Sequence, residues 1–266
     1  TLGLRLGTNQ VKTALLNVKG KRILSHAVDI NPDSTKAKIL EWIYRVINET
    51  LEMAVIEQDL VAGVGIAAPG AVDNTTGTCL YAPRHPNWKN VHLREKVETT
   101  LNFKAFVDHV NNCSALGERW FGAGQGKSNF ISVLIGSGLG AGIIINNQIY
   151  RGPDFAAGEL GHICIDPRGP LCVCGKRGCL ENYASGRAVA AKAKQLSSSP
   201  EGAEAAEMPI RGYGSESAEE IVKTAGGDPN NITAKVVHEA AKNGDETAKA
   251  LFNELGEYLG LGISTL

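Results

Sequence analysis

The sequence predicts an α/β protein of two lobes, and three observations support this fold class. The chain has 266 residues, 43% of them hydrophobic, which is enough for one large core or two moderate lobes. Apolar strand patterns at its start are followed by an amphipathic helix and then by a buried strand. A second series of strand and helix patterns begins at Phe106. We therefore predict an N-terminal lobe of residues 1–108 and a C-terminal lobe of residues 109–266.

The N-terminal lobe is predicted to begin with a β-meander. Residues 2–6 and 11–17 are apolar or alternate between apolar and polar positions, and a turn at 7–10 separates them. Lys19-Gly-Lys21 then turns the chain into a third strand at residues 23–28. The three strands follow one another with only short turns between them.

An amphipathic helix is predicted after the meander, with Asp33 and Ser34 as candidate caps. Its apolar face repeats at helical spacing and consists of Ile39, Ile43, Val46, Ile47 and Leu51. Residues 61–66 are apolar and predict a buried strand, which Pro69 and Gly70 end. Ligands of α/β sheets collect at the carboxyl ends of strands, so this end is a candidate binding region.

The C-terminal lobe is predicted to repeat this plan. A short strand at residues 106–108 precedes a helix at 112–120, and strands at 130–136 and 142–145 flank the glycine-rich segment 137–141. Small residues in that turn let backbone N–H groups approach an anion, but a tight turn needs the same residues for steric reasons alone. Both interpretations stay open.

The rest of the C-terminal lobe is predicted to be loops and helices. Residues 122–128 resemble the end of a P-loop, but a helix precedes them where that motif needs a strand, so we predict a helix-terminating loop. The glycines of 136–142 fit no register of the dinucleotide-binding motif. Residues 196–216 have the composition of an exposed loop. Ser217-Ala-Glu-Glu220 has the pattern of a capping box, and the chain is helical in pattern from Thr233 onward.

One His and three Cys residues within eighteen positions form the most specific chemical motif of the chain; they are His162, Cys172, Cys174 and Cys179. Zn²⁺ prefers four tetrahedral nitrogen and sulfur ligands, and four protein ligands leave no position for a catalytic water. We therefore predict a structural zinc within the element at residues 162–181. Buried thiols or a disulfide are the alternatives, but an intracellular Cys/His cluster more often binds metal. The remaining cysteines are expected to be spectators; they are Cys79, Cys113 and Cys164.

The composition excludes several classes of function. The formal net charge is −1 and neither Lys nor Arg is clustered, so the chain lacks the charge pattern of a nucleic-acid-binding surface. No apolar segment reaches the roughly twenty residues of a membrane span, and no signal-peptide pattern is present. We expect a cytoplasmic protein without membrane contact. Both ends lie within apolar patterns, which favours a chain truncated at both ends.

Four motifs together resemble the ROK family of repressors, open reading frames and kinases. They are Ala68-Pro-Gly70, Ile135-Gly-Ser-Gly-Leu-Gly140, Gly158-Glu-Leu-Gly-His162 and the Cys172-Val-Cys-Gly-Lys-Arg-Gly-Cys179-Leu-Glu181 element. The zinc element is highly specific, the glycine motifs are weaker, and all four follow the order of the family. The resemblance implies an actin-like, ribonuclease-H-like fold of two lobes with a sugar in the cleft between them. It also implies homodimers and a C-terminal extension that holds part of a nucleotide site.

The resemblance assigns roles to individual residues. Glu159, His162 and Glu181 match positions that hydrogen-bond sugar hydroxyls, and His162 also matches a zinc ligand. Gly70 and His109 are expected near the sugar. A carboxylate suits this role because it accepts hydroxyl hydrogens in charge-assisted hydrogen bonds. Without the zinc element, a solvated surface charge would be the ordinary interpretation of either glutamate.

The sequence departs from the kinases of this family at two positions. The kinases carry an Asn-Asp pair whose aspartate accepts the proton of the attacking sugar hydroxyl, whereas this chain has His109-Val110. Their first strand ends in Asp-x-Gly-Gly-Thr, whereas this chain has Arg5-Leu-Gly-Thr-Asn9. Val110 cannot accept a proton, and a guanidinium cannot bind Mg²⁺. Asp108 is a weaker candidate for the missing base, because using it shifts the following helix out of register with the family.

We therefore predict the sugar-sensing effector domain of a ROK-type transcriptional repressor, which binds a sugar without phosphorylating it. No catalytic residue is assigned, and neither ATP nor Mg²⁺ is expected. DNA contact is expected only from a winged-helix domain that precedes Thr1. Two alternatives stay open: an ATP-dependent ROK sugar kinase acting on a hexose or an N-acetylamino sugar, and a non-catalytic sugar-binding module.

Overall fold

The structure, a computed structural model, describes residues 1–197 and 218–266 and divides into two compact units. The first unit comprises Thr1–Ser132 and Gly142–Gly158, and the second comprises Val133–Ala141 and Glu159–Leu266. The division differs from the predicted boundary after residue 108. Apart from its first two residues, which end a helix, the predicted loop at 196–216 lies outside the described residues, as does Ser217 of the predicted capping box.

The described residues form the following strands: β1 (Leu2–Leu6), β2 (Gln10–Leu16), β3 (Arg22–Asp29), β4 (Val64–Ala68), β5 (Ala71–Asp73), β6 (Thr78–Tyr81), β7 (Lys89–His92), β8 (Ala105–His109), β9 (Phe130–Ile135), β10 (Leu139–Ile145) and β11 (Gln148–Tyr150). They also form the following α-helices: α1 (Lys36–Ala54), α2 (Leu93–Leu101), α3 (Val110–Phe121), α4 (Gly186–Ser197), α5 (Glu219–Thr224), α6 (Ala234–Lys242) and α7 (Glu246–Ile263). Short 3₁₀ turns at Leu160–His162 and Leu180–Asn182 contain His162 and Glu181.

The main sheet of the first unit has the strand order β3-β2-β1-β4-β8. The predicted meander supplies its antiparallel strands, and β4 and β8 run parallel to β1. The strand predicted at 106–108 therefore belongs to this main sheet. Its pairing with β4 is a long-range contact that strand propensity alone does not show.

Helix α1 has the predicted amphipathic face. All five predicted apolar residues are buried: Ile39, Ile43, Val46, Ile47 and Leu51. The cap is Thr35, whose hydroxyl oxygen accepts the N–H of Lys38 at 3.3 Å, and not the predicted Asp33 or Ser34. Burial of this face stabilises the unit, because it removes apolar area from water at about 25 cal/mol per Å².

Two smaller sheets have the orders β5-β6-β7 and β11-β10-β9. The strand pair predicted at 130–136 and 142–145 is confirmed, but β10 begins at Leu139, so the glycine-rich turn is shorter than predicted. Sequence reasoning missed β5, β6 and β7, because strands of three or four residues give little periodicity. Within residues 1–197 and 218–266, every helix is too short or too polar to span a membrane.

The described residues of the second unit form two apolar clusters. One lies among α4, α5, α6 and α7, and its buried members include Val189, Ile221, Val237 and Leu251. The other is small and consists of Leu139, Ala141, Leu160, Leu180 and Ala184, with side chains of α7 packed against it. Gly262 of α7 lies so close to Leu180 that an added Cβ would come within 2.2 Å of its Cδ2. Helix α7 thus supports the turn that contains Glu181.

Candidate functional site

The four predicted metal ligands converge in the second unit. The ligand atoms of His162, Cys172, Cys174 and Cys179 all lie within 4.8 Å of one another. Cys172 Sγ is 3.6 Å from His162 Nδ1, and Cys174 Sγ is 3.5 Å from Cys179 Sγ. Tetrahedral zinc with bonds of about 2.0–2.3 Å separates neighbouring ligand atoms by about 3.5–3.8 Å. The cluster therefore has the size and the donor set to hold such an ion.

Backbone geometry brings these side chains together. The Cys172 N–H donates to the carbonyl of Lys176 at 2.7 Å, and Gly175 follows in a left-handed conformation with φ 87°. Gly178 has φ 65°, and an added Cβ would lie 1.5 Å from the carbonyl oxygen of Asp166. Only glycine fits there, so the glycines of the motif permit the tight loop between the second and third cysteines.

The thiols of the cluster differ in acidity. Burial raises the pKa of Cys179 to about 12 and also raises the pKa of Cys172. Burial acts in the same direction on Cys174, but hydrogen bonds from the Lys176 N–H and from Cys179 outweigh it and lower the pKa of Cys174. Because metal binds thiolates, binding would release protons from this cluster.

The other three cysteines lie outside the cluster. Burial raises the pKa of Cys79 to about 11. Burial and the nearby carboxylate of Asp108 raise the pKa of Cys113 to about 12. Cys164 is exposed.

We expect native-state alkylation with iodoacetamide at pH 8 to label Cys164 and to spare Cys79 and Cys113. The thiols of Cys79 and Cys113 have a pKa well above pH 8, so they stay protonated and unreactive, whereas Cys164 is exposed. Mass spectrometry of the labelled peptides measures this, and protein unfolded in denaturant, in which every cysteine is accessible, is the control. Equal labelling of Cys79 and Cys164 in the native protein would contradict it.

His162 faces two groups. Its Nδ1 lies toward Cys172, and its Nε2 is 3.7 Å from Glu159 Oε2. A metal-bound histidine commonly has a carboxylate near its second nitrogen, which fixes the orientation of the ring. The Glu159 side chain is 40% exposed, so it can support His162 and still present a carboxylate oxygen to a ligand.

Glu181 lies two residues after Cys179 and is held from two sides. Its Oε2 accepts the backbone N–H of Leu139 at 2.9 Å, and its Oε1 accepts from Arg187 Nη2 at 3.1 Å. The side chain is only 7% exposed. Each oxygen accepts from a different donor, so the two bonds fix the orientation of the carboxylate.

Gly161 allows the Glu159 turn to approach Glu181. An added Cβ would lie 2.2 Å from the carbonyl oxygen of Leu139 and 3.2 Å from the Cβ of Glu181. The turn at Leu160–His162 can pack so closely only because this position lacks a side chain. The second unit thus brings together three of the five predicted sugar-binding residues, namely Glu159, His162 and Glu181.

The other two predicted sugar-binding residues belong to the first unit. Gly70 has φ 74°, and an added Cβ would lie 2.0 Å from the carbonyl oxygen of Tyr81, so packing alone requires glycine there. His109 is buried at the start of α3, and its backbone N–H donates to Asp108 Oδ1 at 2.7 Å. Their roles in sugar binding stay predictions.

Asp108 is fully engaged within the first unit. Its Oδ1 accepts from Asn112 Nδ2 at 2.9 Å, and its Oδ2 accepts from Nε and Nη2 of Arg151 at 3.0 and 2.7 Å. Both carboxylate oxygens therefore already accept hydrogen bonds from side chains of the same unit. This arrangement argues against Asp108 as a substitute base. Sequence reasoning missed Arg151 because it lies 43 positions from Asp108 and in no motif.

The glycine-rich turn between β9 and β10 is closed by its own backbone. The Gly136 N–H donates to the carbonyl of Gly138 at 2.8 Å, and the Gly186 N–H donates to the carbonyl of Gly136 at 2.8 Å. The Gly136 N–H is therefore not directed at a ligand. These bonds favour the tight-turn interpretation at Gly136 and attach the start of α4 to the turn.

The folding pattern and the Cys/His loop define a two-unit α/β protein of the actin-like class. The ROK family model matches residues 1–266, and the chain belongs to the ROK family.

Relatives within the family include regulators and kinases. The chain is 34% identical to the xylose repressor of Caldicellulosiruptor bescii over 265 residues, which are 100% of this chain and 62% of the repressor. It is similar, with TM-score 0.84 and 33% identity, to a ROK family glucokinase from Streptomyces griseus in complex with glucose and AMPPNP, covering 100% of this chain and 78% of that one. It is also similar, with TM-score 0.77 and 28% identity, to a ROK family transcriptional regulator described as a homologue of the E. coli MLC protein. That similarity covers 99% of this chain and 61% of the regulator. The chain spans about half to three fifths of the length of the curated repressors it matches.

Proposed function

We propose that residues 1–266 are the sugar-binding part of a ROK family transcriptional regulator and bind a sugar without phosphorylating it. The observation that carries this proposal is the convergence of Glu159, His162 and Glu181 beside the Cys/His cluster. Val110 and Arg5 stand where the family's kinases carry acids, which favours the regulator. DNA contact is assigned to a winged-helix region outside these residues, and homodimer formation stays part of the proposal.

We propose that the cluster holds one structural Zn²⁺ through His162, Cys172, Cys174 and Cys179. All four donors come from the chain, so the ion supplies no nucleophile and instead fixes the loop. Cys179 and Glu181 are two residues apart, and Nε2 of His162 faces Glu159. The metal would therefore hold both sugar-binding carboxylates in place through its own ligands.

The proposed sugar chemistry is hydroxyl recognition. Glu159 and Glu181 are acceptors for hydroxyl hydrogens, and a hydrogen bond to a charged acceptor is worth about 1.5–3 kcal/mol. The burial of Glu181 increases its discrimination, because a sugar that lacks the matching hydroxyl leaves a buried acceptor unsatisfied. A polyol is thus preferred over an apolar ligand of equal size.

The main sheet is poorly suited to binding the Mg²⁺ and phosphates of ATP. In register, Arg5 of β1 lies opposite Ala67 of β4, which lies opposite Asp108 of β8. Lys12 of β2 lies opposite Arg5 on the other side. The carboxyl end of β1 therefore presents two cations, whereas Mg²⁺ requires oxygen ligands. The one carboxylate in this row is paired with Arg151.

An ATP-dependent sugar kinase is the second candidate. It is favoured by the similarity to the glucokinase in complex with glucose and AMPPNP, which covers the whole of this chain. Both candidates use the same sugar-binding residues. They differ in whether ADP is released when sugar and ATP are present.

We expect Glu181→Gln to weaken sugar binding about tenfold, because the amide replaces one charged acceptor by a donor. Calorimetry with aldoses, N-acetylamino sugars and their 6-phosphates measures the affinities. Glu257→Gln, an exposed position on α7, is the matched control and should bind as the unmodified protein does. Absence of any binding below millimolar concentration, or equal affinity of Glu181→Gln, would refute the site assignment.

A further inference from the structure

We propose that Arg187 is a positioning residue for the sugar site, and that it acts by fixing the orientation of the Glu181 carboxylate. This inference rests on the proposed function, since it concerns the carboxylate assigned to sugar hydroxyls. Arg187 lies in the first turn of α4 and belongs to none of the motifs that carry the family resemblance.

Two donors hold Glu181 by different oxygens. Arg187 Nη2 donates to Oε1 at 3.1 Å, and the Leu139 N–H donates to Oε2 at 2.9 Å. A carboxylate group turns readily about its last bond, since that torsion has only broad minima. Rotation here would break both bonds, so the two donors favour one orientation of the carboxylate.

Arg187 is itself well placed by its backbone. The Gly186 N–H donates to the carbonyl of Gly136 at 2.8 Å, and Ser185 Oγ accepts the N–H of Ala188 at 3.2 Å. These bonds fix the start of α4 against the β9–β10 turn. The Arg187 side chain therefore extends from a helix end whose backbone is fixed. The same side chain on a loose loop would lose more conformational entropy on pairing with Glu181.

The burial of the two partners is unequal. The Glu181 side chain is 7% exposed and that of Arg187 is 43% exposed. A buried carboxylate needs charged or N–H partners to offset its lost hydration, whereas the partly exposed guanidinium keeps much of its own. Loss of the pair would therefore affect the position and solvation of Glu181 more than those of Arg187.

The test is a double-mutant cycle on sugar affinity. We expect Arg187→Ala to weaken binding by about tenfold, the scale of one hydrogen bond to a charged group. Arg187→Lys should restore part of this, because it keeps the charge and one donor. In a Glu181→Gln background, Arg187→Ala should add little, because a residue that acts through Glu181 has nothing left to position. Lys194→Ala, on the same helix, is the matched control.

A readout without sugar accompanies the cycle. The amide resonance of Leu139 reports its hydrogen bond to Glu181, so Arg187→Ala should shift it and Lys194→Ala should not. Metal content should stay as in the unmodified protein in both variants, whereas the unfolding midpoint of Arg187→Ala should fall, because the buried Glu181 carboxylate loses a charged partner.

Three results would overturn the positioning role. They are an unshifted Leu139 amide in Arg187→Ala, unchanged affinity of that variant where Glu181→Gln is weakened, and fully additive effects in the double variant. If no sugar binds at all but the Leu139 amide shifts, the proposed function fails while the positioning of Glu181 stands.

Discussion

Replacing Cys179 by Ser is expected to remove the bound metal and to abolish sugar binding together. The variant loses one of four ligands from a cluster whose donor atoms all lie within 4.8 Å of one another. Structural zinc contributes about 10–16 kcal/mol of apparent binding free energy in small zinc domains, so loss of a thiolate removes much of what holds such a loop. Glu181 follows two residues later and would lose its fixed position.

Elemental analysis after dialysis against metal-free buffer measures the loss of metal, and calorimetry with sugar measures the loss of sugar binding. We expect about one equivalent of zinc in the unmodified protein and less than half in Cys179→Ser. Cys164→Ser is the matched control, because Cys164 is an exposed thiol in the same segment that lies outside the cluster. Retention of the fold and of sugar affinity in metal-free protein would show that the loop does not depend on metal.

The sequence predicts local structure well where one periodic pattern decides it. The five apolar residues of α1 repeat at helical spacing, and all are buried as predicted. The first three strands form the expected meander. The residues of β8 were also recognised as a strand, but its place beside β4 in the main sheet was not predicted. Pairing of β8 with β4 depends on contacts between segments some forty positions apart, which a local pattern does not encode.

In the candidate site, too, local sequence patterns do not predict contacts between distant segments. The Cys/His motif is compact in sequence, because a metal loop needs its ligands close together, and the four donors meet as predicted. The partners of Glu181 were not predicted. Leu139 is 42 positions away and is joined to Glu181 by its backbone, so no side-chain pattern identifies it. Arg187 is near in sequence, but an arginine in the first turn of a helix is ordinarily a surface charge.

The last expected result is that the full-length protein releases no ADP above background when sugar and ATP are supplied. Loss of a general base costs about 10²- to 10⁴-fold in rate, and Val110 offers no proton acceptor at the start of α3. The nearest carboxylate in the sheet, Asp108, is bound by Arg151 and two further donors. Poor positioning of metal and phosphate lowers the rate further.

A coupled ADP-release assay decides between regulator and kinase. Turnover of about 1–100 per second, which is usual for kinases, would show that the protein is a sugar kinase. The reverse experiment separates the two defects. Val110→Asp with Arg5→Asp should give measurable ATP affinity, because it supplies a base and replaces one of the two cations at the end of β1 by an oxygen ligand. Val110→Asp alone should not, because Arg5 and Lys12 still lie at the end of β1 and no oxygen ligand for Mg²⁺ has been added there. Equal ATP affinity in both variants would mean that Arg5 is not the obstacle to the nucleotide.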